Sequence, residues 1–138
     1  MSAENAADGD SADGDSAEAN TPRLLADLDS YLAQADEGQR GALWRLAEPA
    51  RQLDANLVRL PPNAQVDVHR EPDVDVLVVA VAGYGTVHAE GGAVELSAHC
   101  VAWMPRGSSR SITTGPQGLA YLTVHRARTG MRIRPTGS

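Results

Sequence analysis

Residues 61–85, PPNAQVDVHREPDVDVLVVAVAGYG, lead from a proline turn through an alternating stretch into a Val-rich run that closes on Gly83. Alternation over Gln65–His69 has the two-residue period of a half-buried strand. The apolar run from Val76 has the length and β-branched content of a buried one. Asp67 and His69 are two apart, so an unbroken strand puts both side chains on one face. The same texture continues on either side. ALWRLA, LDANLVRL, AQVDVH, DVLVVAVA, GTVHA, GAVELS, HCVAWM, RSITT and LAYLTVH are short apolar-rich runs. Pro61-Pro62, Gly83, Gly91-Gly92, Pro105-x-Gly107 and Gly115-Pro116-Gln117-Gly118 punctuate them. Strands punctuated by turn residues at roughly ten-residue spacing predict a mostly β sandwich or barrel over 41–138. Glu90-Gly91-Gly92 predicts a hairpin between GTVHA and AVELS.

The front of the chain differs. Residues 1–20 carry six acidic residues, no basic one, and the doubled repeat ADGDSADGDS. Asp-x-Asp invites a calcium reading, but Ala12 stands where a further carboxylate is needed, and the segment reads as a disordered acidic tail. Thr21-Pro22 reads as a helix start, and Leu24, Leu25, Leu28, Tyr31, Leu32 and Ala35 then fall on one face. The expectation is an amphipathic helix within 21–40, packed on the outside of the domain or on a partner subunit.

Composition narrows the function classes. All twelve basic residues are Arg, there is no Phe, and the net charge of −6 resides in the first twenty residues. No acidic residue follows Glu95, whereas six Arg do. This lacks the basic stripe with interleaved aromatics of a nucleic-acid binder, and HRARTGMRIR reads as an exposed charged edge. The lone Cys100 forms no internal disulfide and reads as a small core residue. With no secretory signal pattern and no apolar run of membrane-spanning length, the expectation is a cytoplasmic protein with no membrane partner.

Two stretches carry a resemblance. The first is residues 61–85, with Asp67-x-His69, acids at Asp73 and Asp75, and Gly83. The second is HCVAWMPRGSSR, residues 99–110, with Pro105-x-Gly107-x-x-Arg110. In order, with a hairpin between them, they resemble the two motifs of the cupin superfamily. The resemblance implies a double-stranded β-helix, or jelly-roll, barrel whose metal is held by two His and a Glu of the first motif and a His ending the second. Here Asp67 stands for the first His, Arg110 for the last and His99 for a Gly. The interval from His69 to Gly83 is long, so Asp73 fits from one side and Val76 from the other.

Arg110 has no lone pair and cannot ligate a metal. One reading is therefore a metal-free barrel, either structural or binding an anionic small molecule, with Asp67, His69, Asp75, Arg110 and Trp103 at the site. The alternative is a metal-dependent enzyme of isomerase, dioxygenase or cyclase type, holding Fe, Mn or Zn on Asp67, His69 and Asp73 or Asp75. His88 and His125 are expected to face solvent, Trp44 to be a packing anchor, and the protein to be a homodimer.

Overall fold

The computed structural model describes residues 20–128. The acidic repeat and the end of the Arg-rich segment therefore lie outside the described residues. Among the described residues one helix, α1 (Leu28–Gln34), precedes seven strands: β1 (Gly41–Arg45), β2 (Leu53–Leu60), β3 (Gln65–Arg70), β4 (Val76–Ala89), β5 (Gly92–Ser97), β6 (Val101–Met104) and β7 (Ser109–Arg126). All pairings are antiparallel.

The helix is shorter than expected and starts elsewhere. Its N-cap is Asp27, whose carboxylate accepts from the Asp29 N–H at 3.1 Å and the Ser30 hydroxyl at 3.2 Å. The cap side chain thereby satisfies a backbone donor that the first helical turn leaves open. Residues 22–27 form no regular structure, so Leu24 and Leu25 belong to no helical stripe and are exposed. No helix residue is buried, and the helix touches β1. No helix among the described residues is long and apolar enough to cross a membrane.

Two pairs of expected strands fuse. DVLVVAVA and GTVHA both belong to β4, and RSITT and LAYLTVH both belong to β7. These long strands pass through both layers of the barrel. The first part of β4 pairs with β6 and with the second part of β7; its last part pairs with β5 and the first part of β7. Strands β1 and β2 extend one layer and β3 the other. The register of β4 against β7 shifts at Ala80/Ala82 and Gly83/Gly85, where the strands bend between layers. The Gly83 and Gly115–Gly118 punctuation thus marks bends within strands, not breaks between them.

Alternation along β4 sends Val76, Val78, Ala80 and Val87 into the interior, where they meet Leu96, Ala102, Met104 and Leu119. The opposite parity faces out: Leu77, Val101 and Trp103 are exposed. The turn before β3 is closed by backbone and hydroxyl bonds. Asn63 N–H donates to Gly115 O at 3.0 Å, and Thr114 Oγ1 accepts from Ala64 N–H while donating to Pro61 O, both at 2.8 Å. Asn63 takes a left-handed φ of 54°, which its short polar side chain tolerates. Glu90-Gly91 makes the two-residue hairpin, with Ala89 opposite Gly92.

Candidate functional site

The barrel holds a half-open cavity of about 240 Å³. Its floor is apolar, formed by Val76, Val78, Val87, Leu96, Met104 and Ile112. Its polar groups are His69 and Glu71 from β3 and the loop after it, Arg110, Tyr121, Thr123 and His125 from β7, and Arg128 just beyond. Strand geometry explains the grouping. Tyr121, Thr123 and His125 alternate along the inner face of β7, and Arg110 lies opposite His69 in the β3–β7 register.

Of the five residues expected at the site, His69 and Arg110 line the cavity; Asp67, Asp75 and Trp103 do not. The register of β3 slips between Val66 and His69, a bulge that places one extra residue in this strand. Val66 and His69 therefore share the inner wall although three positions separate them, and Asp67 is exposed. Asp75 instead fastens the motif loop, its Oδ1 accepting from Arg106 N–H at 2.9 Å. Trp103 pairs across from Leu77 on the outer face and is 60% exposed.

The loop Pro105–Ser108 is a tight turn. Ser108 N–H donates to Pro105 O at 3.1 Å, Gly107 takes a φ of 85°, and the Gly107 N–H donates to Glu71 O at 2.6 Å. The turn delivers Arg110 to the wall. Its Nη1 donates to Ser108 O at 3.2 Å and Ser108 Oγ at 3.3 Å. Among the described residues it has no ion-pair partner, and its Nε and Nη2 form no hydrogen bond. Burial lowers the Arg110 pKa from its ordinary value, with Glu71 and Tyr121 acting the other way. Tyr121 is pushed up by burial, opposed by the charges of Arg110 and Arg40.

Sequence reasoning missed Glu71 and misplaced His125. Glu71 is the one buried charged residue of the described core, 8% exposed. Its Oε1 forms an ion pair with Arg128, and its Oε2 accepts from Asp73 N–H at 3.0 Å. The spacing from His69 to Glu71 carried a signal, since i and i+2 share a strand face. Equally, the period-two row Tyr121, Thr123, His125 could have placed His125 at the cavity.

Burial raises the Glu71 pKa, but the Asp73 N–H bond and the charges of Arg128, His69 and His125 together outweigh it and hold the carboxyl below its ordinary 4.5. A lowered folded pKa adds stability that is fully present above the unfolded value and is lost as pH falls through the folded value. Glu71→Gln is therefore expected to destabilise the protein by about 1–3 kcal/mol near pH 7, less than for a fully buried pair because Arg128 is partly exposed. The difference should shrink as pH falls below 4.5. Urea unfolding of both proteins from pH 7 to pH 3 checks this; a gap that stays constant would mean that the Glu71 charge does not contribute.

Among the described residues no three His, Cys, Asp or Glu side chains are arranged to hold a metal ion. Of Asp67, His69, Asp73 and Asp75, only His69 reaches the cavity, and the cavity's carboxylate, Glu71, is held by Arg128. A fixed guanidinium, Arg110, stands on the same wall.

The barrel built on β4 and β7, with His69 and Arg110 on one cavity wall, has the cupin fold, a double-stranded β-helix of the jelly-roll kind. Solved structures share the fold. A protein from Neisseria meningitidis matches with a TM-score of 0.62 at 17% identity, over 75% of this chain and 100% of that one. An uncharacterized conserved protein with a double-stranded β-helix domain from Klebsiella pneumoniae matches with a TM-score of 0.61 at 17% identity, over 77% and 90%. The cupin domain of Cnp3 from Schizosaccharomyces pombe matches with a TM-score of 0.56 at 20% identity, over 69% and 71%. No protein-family model and no curated protein matches the sequence.

Proposed function

We propose that this cupin-fold protein is a small-molecule-binding barrel whose ligand is a short-chain carboxylate. The observation that carries the reading is Arg110, a permanent cation on the wall of a cavity with an apolar floor, which forms no direct ion pair among the described residues because the nearby Glu71 is held by Arg128. A guanidinium presents paired N–H donors in one plane, the geometry that a carboxylate accepts. The open Nε–Nη2 edge of Arg110 would take the two oxygens, with His69 opposite in the register and Tyr121 on the same cavity. The aliphatic floor would take the chain. A cavity of about 240 Å³ lies below the ~300–1,000 Å³ of pockets for drug-sized ligands, which favours a short chain.

Calorimetry with butyrate, hexanoate and hexanol tests it. The two carboxylates are expected to bind and the alcohol not. Arg110→Gln should weaken carboxylate binding by roughly 10–100-fold, the effect of losing a charge-assisted pair of about 1.5–3 kcal/mol. Equal carboxylate affinity in the variant, or no carboxylate binding by the wild type, would overturn the reading.

A further inference from the structure

The cavity wall formed by His125 and Arg128 has a second side. There a depression of about 210 Å³ is lined by Arg45, Arg51, Asp54, Asn56, His125 and Arg128. Its three guanidiniums come from three parts of the chain: Arg45 from edge strand β1, Arg51 from the turn between β1 and β2, and Arg128 from the segment after β7. Nothing in the barrel interior uses Arg45 or Arg51.

Their bonding leaves donors open. Arg51 is held by two bonds, Nε to Asp54 Oδ1 at 2.8 Å and Nη1 to Glu48 O at 3.0 Å, and among the described residues its Nη2 has no acceptor. The Arg45 guanidinium has no hydrogen-bond or ion-pair partner among them. Arg128 gives its Nη2 to Glu71, while its Nε is buried without an acceptor. Among the described residues Asp54 is the single carboxylate in the lining, and Arg51 already holds it.

Among the described residues positive charge is thus in surplus in the lining, and its three guanidiniums are brought there from separate parts of the chain. A planar carboxylate satisfies one guanidinium fork. A tetrahedral phosphate offers oxygens on several sides and suits forks that converge. We infer that the depression is a second anion site, one that takes a phosphate group on Arg45, Arg51 and Asn56, with Arg128 on the shared wall. The group is either free phosphate or the phosphate of a small phosphomonoester. The inference stands independently of the carboxylate reading, because it rests on Arg45 and Arg51 and not on Arg110.

The test is an amide-resolved NMR titration of the full chain with inorganic phosphate and with methyl phosphate, at constant ionic strength balanced by chloride. Saturable shifts are expected at residues 45–56 with both probes. Tighter binding of methyl phosphate would assign the site to a phosphomonoester, and tighter binding of inorganic phosphate to the free ion. Arg45→Gln should weaken binding about tenfold, Arg45→Lys should weaken it less, and Arg110→Gln should leave it unchanged. Arg45 is exposed at a sheet edge, so thermal melts of its variants should match the wild type. Shifts that fail to saturate, or equal affinity in wild type and Arg45→Gln, would overturn the inference. Loss of carboxylate binding in Arg110→Gln with phosphate binding intact would show that the two sites are separate.

Discussion

Gly83→Ala is expected to destabilise the protein by at least about 3 kcal/mol, lowering its melting temperature by roughly 10 °C or more. Gly83 has a φ of 82°, in the left-handed region, and a Cβ built there would lie 2.2 Å from the Gly118 carbonyl oxygen. The obstruction is backbone, so no side chain can rotate away to relieve it. Gly118 cannot retreat, because it has a φ of 77° and its own Cβ position is 2.6 Å from Leu60 O. Three strands, β2, β4 and β7, are therefore stacked backbone to backbone where the long strands bend between layers. The positive φ alone costs about 1–3 kcal/mol in a non-glycine residue, and the clash adds to it. Gly91→Ala is the matched control: nothing lies within 4 Å of its Cβ position, and its effect should be within about 0.5 kcal/mol. Thermal denaturation of the three proteins decides the point. A Gly83 variant as stable as the control would mean that β4 and β7 do not approach this closely at the bend.

That bend also shows where the sequence was legible and where it was not. Strand content, hairpin and motif order follow from local signals, because β-branched alternation and a two-residue Glu-Gly turn act within a few residues of chain. LDANLVRL and GAVELS read directly as β2 and as β5 with its leading glycine. A glycine in an apolar run, however, signals a turn and a strand bend alike. Whether β4 stops or continues at Gly83 is settled by Gly118, thirty-five residues away, so the fusion could not be read locally.

The site was half legible for the same reason. The motif spacing points to Arg110, and Arg110 lines the cavity. Asp67 was placed inside by counting in twos from His69, and the count fails because the bulge inserts a residue between Val66 and His69. A bulge is set by the partner strand, here β7, and leaves no mark on Val66-Asp67-Val68-His69. The spacing from His69 places Glu71 on a shared face, but what buries and holds its charge is Arg128, fifty-seven residues on, which closes the ion pair. Asp27 and not Thr21 caps the helix: the leucine run has the spacing of one stripe, but none of its members is buried, so nothing holds residues 22–27 in a helix.

The bulge makes the last expectation sharp: Arg110→His should bind zinc at least a hundredfold more tightly than the wild type, a gain of about 2.7 kcal/mol. Arg110 lies opposite His69 in the β3–β7 register, and Glu71 and His125 line the same cavity. Cβ atoms of opposed strand residues lie about 4.5–5.5 Å apart, close enough for two imidazoles to share one zinc at about 2.0–2.1 Å. The substitution adds a ligand and removes an obstacle. A divalent ion about 5 Å from the guanidinium is opposed by roughly 6 kcal/mol at an effective dielectric of about 20. Asp67→His should add nothing, alone or in combination, because position 67 faces outward behind the bulge. Calorimetry with zinc on protein lacking a histidine tag should therefore place the wild type and Asp67→His together and weak. The single Arg110 variant and the double variant should be together and strong. A double variant tighter than the single would put position 67 in the cavity and remove the bulge from the account. An Arg110→His protein no better than wild type would take Arg110 off the cavity wall, and with it the carboxylate site.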